Sequence, residues 1–309
     1  MDIDRVDPDL RATTRRMPRF RLENALFRRA VVGATRLAPG ARVSGVERRT
    51  ARAGGVRLRV YVPERASGAA LLWIHGGGLV MGSPRMDDRL CGETAARTGA
   101  IVVSVDYRVA PKHPFPAALE DVAAGFAWLV AHAAGYAVDP SRIAVGGQSA
   151  GGGLAAALVQ RLHDEGTPVA AQWLWCPMLD DRTAADRFRD AEDHFVWNNR
   201  SNLVGWRAYL GDAFAVAEVP RYAVPARRGD LSGLPPAWVY TSAIELFHDE
   251  DVAYAERMRH DGVEVTLDVV EGAPHGFESW APDSDLARSL IDRAIAWLDA
   301  RLTPAPTPR

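Results

Sequence analysis

RIAVGGQSAGGGLAAAL, Arg142 to Leu158, changes character in the middle of an uncharged run. Its first residues, RIAV, read as a buried strand, and its last, LAAAL, as a helix. The tight group G-Q-S-A-G, Gly147 to Gly151, lies between them. A serine on a sharp strand-to-helix turn has a strained backbone, and bulky neighbours would collide with it, so small residues around Ser149 are what such a turn demands. The turn lifts the Ser149 hydroxyl above the sheet at the positive end of the helix, where the Ala150 amide faces any developing negative charge. Arg142–Leu158 therefore predicts both a local structure and a candidate nucleophile. Ile143 to Gln160 is also long enough to suggest a membrane helix, but its glycines and small residues fit strand, turn and helix better.

The same rhythm extends outward. The runs RLRVYV, ALLWIHG, IVVSVDYR, RIAVGGQ, AQWLWCP, AWVYTSA and VTLDVVEG read as strands. Segments with apolar spacing near 3.6, such as PAALEDVAAGFAWLVAHAA and SDLARSLIDRAIAWLDARL, separate several of them. Near-continuous apolar strands alternating with helices predict an α/β fold with a mostly parallel, doubly wound sheet covered on both faces. Two regions break the rhythm. Residues 1–45 look helical and basic, and residues 181–229 look polar, aromatic and helical. Both are expected to form a cap over the carboxyl ends of the strands, where such sheets bind ligands. The core is then 46–180 together with 230–303, and the tail 304–309 is expected to be disordered.

Composition narrows the function. The chain of 309 residues is 48% hydrophobic and 25% charged with a net charge of −2, so it carries no electrostatic footprint for nucleic acid and no polybasic membrane tether. Cys91 and Cys176 stand far apart, and neither C-x-x-C nor H-E-x-x-H occurs, so a disulfide framework and a metal site are not expected. The arginine-rich start is not followed by an apolar core as a signal peptide would be. The expectation is a soluble, cytoplasmic protein with no membrane span and no nucleic-acid partner.

Two further motifs carry chemistry. ALLWI runs into H-G-G-G, His75 to Gly78; three glycines let bare backbone amides approach an oxyanion, and His75 reads as the structural residue that orients the loop. VTLDVVEGAPHGF places His275 in a short loop just beyond a strand. Among the eight histidines only His275 combines that position with a late place in the chain, which makes it the candidate general base.

HGGG, then D-Y-R-x-A-P-x-x-P-F-P-A-A from Asp106 to Ala118, then G-x-S-A-G-G, then H-G-F together resemble the hormone-sensitive-lipase-like esterases of the α/β-hydrolase fold, over about residues 55–300. The resemblance implies cofactor-free hydrolysis of carboxylic esters, oxyanion donors at Gly77, Gly78 and Ala150, and structural roles for Asp106 and Asp121. It is compatible with a homodimer, of which the residues give no independent sign. Gln148 departs from the acid common before the serine, and Lys112 from a glutamate.

The acid that orients His275 is less plain. TSAIELFHDED offers Glu245, Asp249, Glu250 and Asp251, and the resemblance aligns Glu245 with the family's usual aspartate. Hydrolases of this fold use Asp or Glu in the order Ser, acid, His. Asp249 and Glu250 more naturally open the following helix, where acids favour the positive end. Glu245 is the expected acid, with Asp249 the alternative. Leu79, Trp197 and Leu246 are expected to line the substrate pocket, beneath an aromatic ceiling that also includes Phe195, Trp206 and Tyr209. The triad leaves amides and lactones open beside esters, and a receptor that has lost catalysis is the remaining alternative.

Overall fold

Every second residue of a strand faces the same side of a sheet, and the strands of this protein use both sides. The structure is a computed structural model that describes residues 1–17, 22, 24, 28, 30, 31, 33–35 and 40–303. Part of the expected N-terminal cap (18–21, 23, 25–27, 29, 32 and 36–39), and all of the expected disordered tail, lie outside the described residues. Eight strands form one sheet among the described residues: β1 (Val46–Ala53), β2 (Val56–Pro63), β3 (Ala70–Ile74), β4 (Ile101–Asp106), β5 (Ile143–Gln148), β6 (Gln172–Trp175), β7 (Ala237–Ser242) and β8 (Val265–Val270). Their spatial order is β1-β2-β4-β3-β5-β6-β7-β8. β1 and β2 pair antiparallel, as do β2 and β4, and the remaining pairs are parallel.

The α-helices whose full span is described are α1 (Pro8–Arg16), α2 (Asp88–Thr98), α3 (Ala117–His132), α4 (Ala150–Asp164), α5 (Asp181–Ala185), α6 (Asn199–Leu210), α7 (His248–His260), α8 (Phe277–Trp280) and α9 (Asp285–Leu302). Alternation along the central strands divides the core. Leu72, Ile74, Val103, Val145 and Val239 pack with Leu119, Val122 and Phe126 of α3, Leu154 and Leu158 of α4, and Tyr254 and Met258 of α7. Leu71, Trp73, Val102, Trp173, Trp175 and Trp238 face the other way, toward Cys91 and Ala95 of α2 and Leu290, Ala294 and Leu298 of α9. On that second side the four indoles pack edge to face or tilted, with Trp173 and Trp175 centroids 4.9 Å apart and Trp175 and Trp238 5.1 Å apart. Both cysteines are buried and free.

β1 was not expected as a strand. Its sequence VERRTARA is charged and mostly exposed, so it offers no apolar alternation to read. Backbone pairing with β2 holds it, and Arg48 reaches the buried carboxylate of Asp88, which also accepts from Arg59 and from the Tyr61 hydroxyl.

Ile143–Gln160, the uncharged run, is strand, turn and helix. Ala117–Tyr136 is a different case: it is long and apolar enough by length and composition to cross a membrane. Its buried Ala118, Leu119, Val122, Phe126 and Leu129 repeat at helical spacing, and they form the face that meets the sheet.

Between β6 and β7 lie α5, α6 and several 3₁₀ turns, where the sequence breaks its alternation. Arg227 ties this excursion down by donating from Nε at 2.7 Å and from a terminal nitrogen at 2.9 Å to the buried Asp181 carboxylate. Asp164 at the end of α4 accepts from Arg221, Tyr222 and Arg228 and is held below the usual carboxylate range, chiefly by Arg228.

Candidate active site

Ser149 stands between β5 and α4 with φ 55° and ψ −119°. A non-glycine residue in that region carries about 1–3 kcal/mol of strain, held in place only by its surroundings. The surroundings are visible: the Ser149 amide donates to the Trp175 carbonyl at 2.8 Å, and its carbonyl accepts from Met178 at 2.9 Å and Gly153 at 3.0 Å. The small neighbours are needed as the sequence reading supposed. A Cβ on Gly151 would lie 2.0 Å from the Ile74 carbonyl oxygen and 2.4 Å from that of His75.

His275 follows β8 in the loop Glu271–Gly276, and its Nε2 lies 2.9 Å from Ser149 Oγ. Its Nδ1 is hydrogen-bonded to Glu245 Oε2. The second oxygen, Glu245 Oε1, accepts from the Thr241 hydroxyl at 3.0 Å and the Ser242 amide at 2.9 Å. Ser149 and His275 are each 6% exposed and Glu245 is 5% exposed. Phe247 meets the imidazole edge to face with centroids 5.2 Å apart. A carboxylate on Nδ1 leaves the proton there and the Nε2 lone pair turned toward the serine hydroxyl, the tautomer that base catalysis requires.

The other acids are elsewhere. Asp249 opens α7 and pairs with Arg189 at 3.0 Å and with His248 at 3.1 Å, away from His275. Glu250 accepts from the Leu179 and Asp180 amides at 2.7 and 3.1 Å, and burial pushes its carboxyl up to about 8. Burial also drives Asp251 well above the usual range. Asp268 pairs with Arg293. Asp121 accepts from the backbone and guanidinium of Arg108, and Asp106 lies 3.8 Å from Arg57.

The glycine loop passes beside Ser149. His75 stacks on Tyr107 with centroids 4.2 Å apart, and the Tyr107 hydroxyl donates to the His75 carbonyl at 3.0 Å, which fixes where the loop begins. Gly77 and Gly78 have φ 123° and 58°. The Ala150 amide, in the first turn of α4, has no intrahelical acceptor. Gly78 packs so closely under Trp197 that a Cβ there would lie 2.0 Å from the indole ring. Gly78→Ala is therefore expected to lower kcat/KM on a small aryl ester by about 100- to 1,000-fold, on the scale seen when an oxyanion donor is lost. The double variant Gly78→Ala/Trp197→Leu should recover part of it. Equal rates for wild type and Gly78→Ala would show that this contact does not matter.

A cavity of about 320 Å³ opens above these groups, bordered by Ser149, His275, the glycine loop, Met81, Met86, Trp197 and Trp280. Met17 from the N-terminal region, Val196 from the excursion, and Gln148, Gly276 and Ser279 complete its wall. Trp197, one of the expected pocket residues, borders this cavity. Leu79 and Leu246 do not border this cavity. Leu79, at φ 66°, and Leu246 are 4% and 2% exposed and belong to the hydrophobic core. Trp206 and Tyr209 are likewise core residues, and Phe195 borders a neighbouring cavity.

Gln148, Glu278, Ser279 and Trp280 were not foreseen as neighbours of the site, although all lie within motifs already quoted or a few residues beyond His275. The buried Cys176 thiol also lies close, its sulfur within 4.8 Å of ligand atoms of Glu245 and His275. Burial drives its pKa well above the ordinary thiol range, so it is a neutral thiol there rather than a thiolate ligand.

A family profile described as alpha/beta hydrolase fold matches residues 71–279. The chain belongs to the hormone-sensitive-lipase-like esterases of that fold. It is 33% identical over 251 residues to Esterase LipI of Mycobacterium tuberculosis (strain ATCC 25618 / H37Rv), covering 80% of this chain and 78% of that protein. It is also 33% identical over 253 residues to Carboxylesterase NlhH of the same strain, covering 80% and 79%. Among solved structures, a bacterial heroin esterase superposes with a TM-score of 0.89 at 34% identity, covering 98% of this chain and 99% of that one. The α/β-hydrolase fold is the one that the sequence resemblance implied.

Proposed function

We propose that this member of the esterase family, a carboxylic-ester hydrolase, works through an acyl-enzyme on Ser149, with His275 as general base and acid and Glu245 as the orienting carboxylate. The hydrogen-bonded line from Glu245 through His275 to Ser149 Oγ is the observation that carries the reading. Ser149 Oγ attacks the ester carbonyl carbon as its proton passes to His275 Nε2, and Glu245 stabilises the imidazolium. The amides of Gly77, Gly78 and Ala150 receive the oxyanion. The carbon–oxygen bond to the alcohol breaks as His275 returns the proton to it. Water then repeats the sequence on the acyl-serine and releases the carboxylic acid.

The small cavity, with methionine, valine and tryptophan in its wall, supports esters of short to medium acyl chains. By family resemblance the reading is also compatible with a homodimer. Its test is a panel of p-nitrophenyl esters from acetate to laurate, run beside a matched anilide and a lactone. Turnover should peak near butyrate or hexanoate. A laurate optimum would overturn the chain-length reading, and faster cleavage of the anilide or lactone the ester reading.

A further inference from the structure

The segments that carry the reacting groups meet at one pair of side chains outside the triad. Gln148 immediately precedes Ser149 and is 6% exposed. Its amide nitrogen donates to Glu278 Oε1 and, at 2.7 Å, to Ser279 Oγ. Its amide oxygen faces the glycine loop, where a Cβ on Gly76 would lie 3.3 Å from it. Glu278 is 4% exposed, and its other oxygen accepts at 3.2 Å from the Tyr240 hydroxyl on β7, the strand that leads to Glu245. Glu278 sits in α8, three residues beyond His275, and the Trp280 indole of the same helix donates to the His275 carbonyl at 3.2 Å. One amide and one carboxyl thus join the serine turn, the acid-bearing strand and the helix that follows the histidine loop, beside the glycine loop.

Burial raises the Glu278 pKa, and hydrogen bonding by Gln148 opposes that rise. Burying a carboxyl and an amide costs free energy that apolar residues of the same size would not, so stability alone is a poor reason for the pair. Hydrogen bonds with a fixed donor and acceptor do something apolar contacts do not: they fix a relative position.

We propose that Gln148 and Glu278 are positioning residues, whose amide-to-carboxyl hydrogen bond sets the approach of His275 Nε2 to Ser149 Oγ and so acts on turnover more than on substrate binding. The inference rests on the ester-hydrolase reading above. Gln148→Glu removes the amide donor and sets a second buried carboxyl against Glu278, so the fixed donor-to-acceptor pairing is lost. The swap Gln148→Glu/Glu278→Gln restores one donor and one acceptor with the direction reversed.

The experiment measures kcat and KM on p-nitrophenyl butyrate for wild type, Gln148→Glu and the swap, with thermal unfolding of each. Gln148→Glu is expected to lose about 30- to 100-fold in kcat, the scale of an ångström-sized misplacement, with KM within about threefold. The swap should return to within about fivefold of wild type, on the same positional argument. Gln148→Met keeps the shape without the donor and is expected to lose about tenfold in kcat; it decides the matter if Gln148→Glu fails to fold. Unchanged kcat in the single variants, a loss confined to KM, or a swap no better than Gln148→Glu overturns the inference. An inactive wild type that also resists labelling by a fluorophosphonate overturns the ester-hydrolase reading and this inference with it. An active wild type with unaffected variants overturns this inference alone.

Discussion

Ser149→Ala is expected to lower kcat on p-nitrophenyl butyrate by about 10⁶-fold and to abolish labelling by a fluorophosphonate, while leaving the fold intact. The size follows from the way these groups act as a unit: removing the nucleophile of a serine hydrolase costs on the order of 10⁶ in kcat. The backbone around Ser149 is held by the Trp175 carbonyl and by the Met178 and Gly153 amides, none of which needs the hydroxyl. The variant therefore keeps the turn and the Ala150 amide, and a residual rate of about 10³–10⁴ over the uncatalysed reaction should persist from those donors and binding alone. Initial rates, and the mass increment on exposure to the phosphonate, check both parts. A variant that retains a substantial share of wild-type turnover would remove Ser149 from the mechanism.

Glu245→Gln should lower kcat by about 10⁴-fold, the effect expected when an orienting carboxylate becomes an amide. The geometry explains why so conservative a change matters. Glu245 Oε1 accepts from both the Thr241 hydroxyl and the Ser242 amide. In the variant those donors retain the glutamine oxygen, so its NH₂ is forced toward His275 Nδ1. An amide donor there requires Nδ1 to accept, the imidazole proton moves to Nε2, and His275 no longer takes the proton of Ser149. Asp249→Asn should have little effect, because Asp249 is engaged with Arg189 and His248. The reverse outcome, with Asp249→Asn inactive and Glu245→Gln active, would transfer the role to Asp249.

Much of the fold was legible because burial on both faces makes a central strand apolar throughout, as in ALLWI and IAVGGQ, and because each helix repeats at a different period. β1 was not legible. VERRTARA is an edge strand that interacts mainly through its backbone, and backbone pairing leaves no mark on side-chain choice. The candidate site divides in the same way. Ser149 and His275 stand in motifs whose small residues are required by close approach, and Glu245 stands at a strand end where the family resemblance aligned it, so the sequence offered all three as candidates. Leu79 and Leu246 show the limit of sequence adjacency. Each is one or two residues from a site group, but the turn at φ 66° and the start of α7 place them in the core. Met17, Met86 and Val196 border the cavity through tertiary folding, which neither periodicity nor spacing encodes.

The wall of that cavity has a consequence for how the protein can diversify. Ser149, Glu245 and His275 are anchored where strands end, so substitutions beneath them disturb the ladder itself. Met17 and Val196–Trp197 lie outside the ladder, on segments whose backbone the sheet does not pair. Inheritance can therefore revise what fits above Ser149 without disturbing the ladder that holds the proposed triad. New substrate ranges are accessible by drift in two short stretches of chain, while the reaction stays under the constraint of the whole sheet.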